Sequence, residues 1–82
     1  MQNKKEYYAV VDKVINDGKH GAYAVARCTE FSSITFSLDS KVWQEESWPE
    51  PGTCVMLSQV IKKRAGWRAN HGRLVSPDDK QQ

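Results

Sequence analysis

The chain has 82 residues and a formal net charge of +2, with 39% hydrophobic and 27% charged residues. This is the composition of a folded chain, and its length suits one small domain that buries about 60% of its unfolded surface. Two lobes around a cleft do not fit.

The first expected strand runs from about Glu6 to Ile15, rich in Tyr and Val, and stops at the turn cluster Asn16-Asp17-Gly18. The second spans about Gly21 to Cys28, where Ala22, Ala24, Ala26 and Cys28 alternate with Tyr23, Val25 and Arg27. The third, about Ser33 to Leu38, alternates Ile34, Phe36 and Leu38 with Thr35 and Ser37, the pattern of one buried face. Asp39 to Gln44 is expected to hold a short helical turn, N-capped by Asp39 or Ser40. Trp48-Pro49-Glu50-Pro51-Gly52 then forbids a regular element. The fourth strand is Thr53 to Ile61, Lys62 to Gly66 is a basic hairpin tip, and the fifth strand is Trp67 to Val75.

Five short strands with one brief interlude suit a small barrel better than a sandwich, which needs about seven. Closure removes exposed edges, and the alanines of the second strand fit a tight interior. The expected fold is therefore all-β, a five-stranded closed or partly open barrel of the OB type. It would occupy residues 1–76, with a polar tail over 77–82.

No apolar run reaches the roughly 18–20 residues of a membrane span. MQNKKEYY has basic residues without an apolar stretch behind them, so a cytoplasmic location without membrane association is expected. Cys28 and Cys54 lie 26 positions apart without the paired spacing of a zinc site. They read as reduced core residues, or as a disulfide if the protein is exported. Neither metal nor cofactor is expected.

The charge is unevenly distributed. Between Pro51 and Pro77 stand Lys62, Lys63, Arg64, Arg68 and Arg73 with no acid, a balance of +5; the remainder has seven bases against ten acids, a balance of −3. Such segregation points to an electrostatic face.

Several short stretches carry a family pattern. Lys13-Val14-Ile15-Asn16 and Lys19-His20-Gly21-Ala22-Tyr23 are followed by Ile34-Thr35-Phe36-Ser37, then Gly52-Thr53-Cys54-Val55-Met56-Leu57 and Gly66-Trp67-Arg68-Ala69. In this order, from Lys13 to Gly72, the chain resembles a divergent cold-shock domain. That family's motifs are Lys-aromatic-aromatic-Asn, Lys-Gly-Phe-Gly-Phe, Val-Phe-Val-His, Gly-x-x-Val-x-Phe and Gly-Pro-x-Ala. Val14 and Ile15 replace the paired aromatics, and Ser37 stands where the family has histidine. The resemblance implies an OB-type barrel that binds single-stranded RNA or DNA.

Such binding takes a basic groove and aromatic faces on which bases stack. Lys62, Lys63, Arg64 and Arg68 surround Trp67, in a loop that binds ligands in OB barrels. They read as a phosphate clamp beside a stacking ring, or as a solvated hairpin tip. Tyr23 and Arg27 lie opposite the alanine face, so Tyr23 either stacks on a base or caps the core. Lys13, Lys19 and His20 flank the first turn and are further phosphate contacts in this reading. Phe36 belongs to the core, as does one of the adjacent Tyr7 and Tyr8. Trp43 and Trp48, among Glu45, Glu46 and Glu50, either cover the barrel bottom or present a protein-binding patch. His71 and Arg73 share a face with Ala69 unless Gly72 makes a bulge.

No serine lies in a nucleophile elbow and no glycine-rich phosphate loop occurs, so an enzyme is not expected. Two functions remain: a single-strand nucleic-acid binder, monomeric or weakly dimeric, or an OB-type protein-interaction module that has lost nucleic-acid binding.

Overall fold

Strand β1 covers Glu6–Ile15, β2 Tyr23–Cys28, β3 Ser32–Ser37, β4 Cys54–Lys63 and β5 Gly66–Leu74 in the computed structural model, which describes residues 5–19 and 21–75. The strands close into a barrel in the order β1-β2-β3-β5-β4, with β4 returning to β1. Every junction is antiparallel except β3–β5, which is parallel through Ile34↔Trp67, Thr35↔Arg68 and Phe36↔Ala69. This order is consistent with an OB-type barrel.

Period-two alternation builds the core. Ala9 and Val11 of β1, Ala24, Ala26 and Cys28 of β2, Ile34 and Phe36 of β3, Val55 and Leu57 of β4 and Ala69 of β5 all face inward and are buried. The alanines leave room for the two largest buried side chains, Phe36 and Trp43. Tyr7 packs on this core, whereas Tyr8 is exposed.

Two irregularities re-aim the strands. In β1 the register shifts between Val11 and Lys13, and the inward face resumes at Val14. In β4, Gln59 has φ 55° and interrupts the pairing with β5 between Ser58↔His71 and Val60↔Ala69. Beyond it Val60, three residues after Leu57, faces the core, and on β5 the buried positions are likewise Ala69 and Gly72, three apart. The register is unbroken through Leu57↔Gly72, so it is a change of face centred opposite Gln59, not a bulge at Gly72, that takes His71 and Arg73 off the face of Ala69.

The connection between β3 and β4 corrects an expectation: no helix forms there among the described residues. A single turn closes instead. Asp39 O accepts the N–H groups of Val42 and Trp43, each at 2.9 Å, and Asp39 Oδ1 accepts Lys41 N–H at 2.9 Å. The turn cannot continue as a helix because the next backbone groups bond to β5. Gln44 N–H donates to Gly72 O at 3.0 Å, and Gly72 N–H donates to Val42 O at 2.9 Å. These bonds draw the Trp43 ring beneath Phe36, with centroids 5.6 Å apart, and the indole N–H reaches Ser47 O at 2.8 Å. Gly72 makes the close approach possible: a Cβ there would stand 3.0 Å from Leu57 and 3.2 Å from the Trp43 ring. Trp43 plugs the barrel at 2% exposure, while Trp48 is 48% exposed, so the two tryptophans of this loop have separate fates.

The hairpin tip is shorter than expected. Lys62 and Lys63 lie within β4, paired with Trp67 and Gly66, and only Arg64 and Ala65 form the turn. Gly66, at φ 130°, supplies the conformation that this tight turn demands. The tail over 77–82 and the start of the expected domain lie outside the described residues. No helix among the described residues is long and apolar enough to cross a membrane.

Candidate functional site

The outward faces of β2, β3 and β5 form the floor of a trough. Because Ala24 and Ala26 point inward, Tyr23 points outward; Thr35 and Ser37 do the same on β3, and Arg68 pairs with Thr35 across the seam. A hollow of about 380 Å³ lies over these side chains, bounded by Gly18 and Lys19 of the β1–β2 turn and by Ala65 of the hairpin tip. A second hollow adjoins it at Thr35, Ala65 and Arg68 and reaches Lys63 and Trp67. A third adjoins it at Gly21, Ala22 and Ser37 and ends at Asp39 and Trp48. The central hollow shares lining residues with each of the other two, and together they make up the trough.

The first end is basic. Lys62, Lys63, Arg64 and Arg68 have no ion pair with an acid among the described residues. Trp67 is half-buried there: Phe31 packs against it at 4.7 Å between centroids, and Lys62 Nζ lies 5.1 Å from its ring centre. Tyr7 joins edge-on to Phe31 at 4.8 Å, so the indole belongs to a packed aromatic row that closes this side of the barrel. The hydroxyl of Thr35 donates to Trp67 O at 3.4 Å, adding a cross-link at the seam.

Tyr23 occupies the middle, half-buried. Its ring rests against the β1–β2 turn, where a Cβ on Gly18 would stand 3.0 Å from Tyr23 Cε1 and 2.6 Å from Gly21 O. Glycine at 18 therefore lets the turn lie flat on the tyrosine. Tyr23 thus packs under a turn and also lines the trough.

Lys19, Tyr23, Lys63, Trp67 and Arg68 thus meet along one trough, with Lys62 and Arg64 beside it. Arg27 stays apart. It stands at the far end of β2 with its guanidinium 3.5 Å from Asp12 Oδ1. Lys13 is exposed opposite Val25 and does not line the trough. His20 lies outside the described residues.

The acid-free run also divides. Arg73 gives two hydrogen bonds to Glu6, Nε to Oε2 at 3.0 Å and Nη2 to Oε1 at 2.9 Å, a fork-on-fork pair 67 positions apart in sequence. It is tied to β1 and does not join the cations of the tip. The far end of the trough was not foreseen. Asp39 and Trp48 border it because the β3–β4 connection folds back over Ser37; the only sequence signal was a tryptophan beside prolines, where no core strand can run.

Elsewhere, both cysteines are free thiols. Burial raises the pKa of Cys28, aided by its hydrogen bond to Glu30 at 3.1 Å. Tyr8 OH donates to Cys54 Sγ at 2.9 Å, and that bond holds its proton above the usual phenol range. Ser58, fully buried, is hydrogen-bonded to His71 Nδ1 at 3.3 Å, which satisfies it inside the wall rather than exposing it for chemistry. No family model matches the chain, nor does any curated protein or solved structure, so its function is to be read from these side chains.

Proposed function

We propose that the protein is an OB-type barrel, cold-shock-like in its motifs, that binds single-stranded RNA or DNA along this trough. One observation carries the reading: adjoining outward-facing hollows have, at one end, cations with no acid partner among the described residues, and aromatic side chains at intervals along them. Phosphates are held by Lys62, Lys63, Arg64 and Arg68, with Lys19 on the opposite bank. A base stacks on Tyr23. Trp67 offers a second platform when Lys62 leaves its ring for a phosphate, an exchange of a cation–π contact for an ion pair. Arg27 and Lys13, off the trough, contribute only long-range attraction.

A low-salt titration with single-stranded RNA, single-stranded DNA and duplex tests this. Single strands are expected to bind more tightly than duplex. Log affinity should fall with log salt by about 0.7 per phosphate contacted, a slope of about 3 to 3.5 for four or five contacts. Absence of binding to any strand at low salt would refute the proposal.

The competing reading, a protein-interaction module, draws on a different wall. Tyr8 and Val10 are exposed on β1, directly opposite Met56 and Cys54 of β4, an apolar group suited to a protein surface. A stable dimer that ignores oligonucleotides would favour it.

A further inference from the structure

The end of the trough away from the basic tip has its own chemistry. A hollow of about 190 Å³ is walled there by Ala22, Ser37, Leu38, Asp39 and Trp48. Sites for drug-sized ligands run from roughly 300 to 1,000 Å³, so this one has room for a single planar ring system. Trp48 is half-exposed and stacks on no other aromatic among the described residues. Asp39 is held in place: Oδ1 accepts Lys41 N–H at 2.9 Å, and its own N–H donates to Ser37 Oγ at 3.1 Å. No cation pairs with this carboxylate among the described residues.

A carboxylate only accepts hydrogen bonds and repels phosphate, so whatever lies beside Asp39 must present donors. We propose that this hollow is a base-reading subsite and that it selects guanine; the inference rests on the trough being a single-strand site. Guanine alone shows two adjacent donors, the ring N1–H and the exocyclic amine, that one carboxylate takes together. Cytosine and adenine place an acceptor ring nitrogen beside their amine, and uracil flanks its one N–H with two carbonyls. Trp48 supplies the stacking face.

The test uses the full chain and short oligouridines whose central base is U, C, A, G or inosine, titrated at one low salt concentration. The guanine strand should bind about five- to tenfold tighter than the all-uridine strand, the lower range for a two-bond base contact at an open site. Inosine, lacking the exocyclic amine, should fall between. Asp39→Asn keeps the Oδ1 bond to Lys41 and removes the charge; it should strengthen the uridine, cytidine and adenosine strands but not the guanine strand, bringing the guanine-to-uridine ratio to within about twofold. Trp48→Ala should weaken the guanine strand most.

Equal binding of all five strands, or a guanine preference untouched by Asp39→Asn, overturns the subsite and leaves the trough standing. Failure of every strand to bind overturns both.

Discussion

Arg68 and Arg73 stand five residues apart on one strand and serve opposite walls of the barrel. Arg73 lies on the side of β1 and β4, where Glu6 takes its guanidinium in two hydrogen bonds and Tyr8, Val10 and Met56 make an apolar surface. Arg68 lies over β3, beside threonine and serine hydroxyls, without an acid partner among the described residues. One wall balances its charges locally; the other leaves them available to something outside the molecule. Net charge conceals this difference, because a matched arginine and an unmatched one count alike.

Charge reversal separates the two walls most sharply. Lys62→Glu, Lys63→Glu and Arg64→Glu together should weaken single-strand binding by about a hundredfold or more, since several phosphate contacts become repulsions, while the unfolding midpoint stays nearly unchanged. Unaltered binding would make the tip merely a solvated hairpin. Next in size is the trough floor. Gly18→Ala forces a methyl against Gly21 O and the Tyr23 ring and should cost about 1–2 kcal/mol in chemical denaturation, with weaker binding. Val10→Ala on the other wall should stay within about 0.5 kcal/mol.

A smaller effect tests the matched wall itself. Arg73→Gln breaks the fork with Glu6 and should cost about 1 kcal/mol, for side chains still a third exposed, while the salt slope of binding stays as it was. A changed slope would put Arg73 among the ligand contacts and erase the distinction.

The smallest concerns Tyr8. Its pKa is raised because the phenol donates to Cys54 Sγ and lies beside that sulfur's charge. The folded chain therefore favours the neutral ring. Stability from this bond is present below the ordinary tyrosine value of about 10 and is lost as pH rises through the folded value. Cys54→Ala should move one tyrosine back to the ordinary range in an absorbance titration; identical curves would refute the bond.

The strands were legible because their alternation is local. Ala24, Ala26, Ile34 and Phe36 announce their faces within a few residues, and all are buried. The β3–β4 connection was not. A turn at Asp39 satisfies the same capping preference as a helix start, and the choice was made by Gly72, 33 positions on, whose backbone bonds Val42 and Gln44. The Glu6–Arg73 pair is invisible for the same reason: it exists only once the barrel brings β1 beside the end of β5. Gln59 defeated the period count outright, since a glutamine with positive φ carries no sequence mark. Of the candidate site, the basic tip and Tyr23 were readable from composition and alternation. Trp48 and Asp39 were not, because a loop's path over a sheet depends on where its distant anchor sits.

The parallel junction of β3 with β5 has a kinetic meaning. It comprises only three residue pairs, fewer than any other junction, and joins positions more than 30 apart in sequence. Loop-closure entropy delays such contacts in folding, and a seam so short is the natural place for the closed barrel to open first. The trough crosses it, with Thr35 on one side and Arg68 on the other. Any molecule gripping both would act as a clasp, slowing amide exchange in the two strands and making occupancy and closure a single equilibrium.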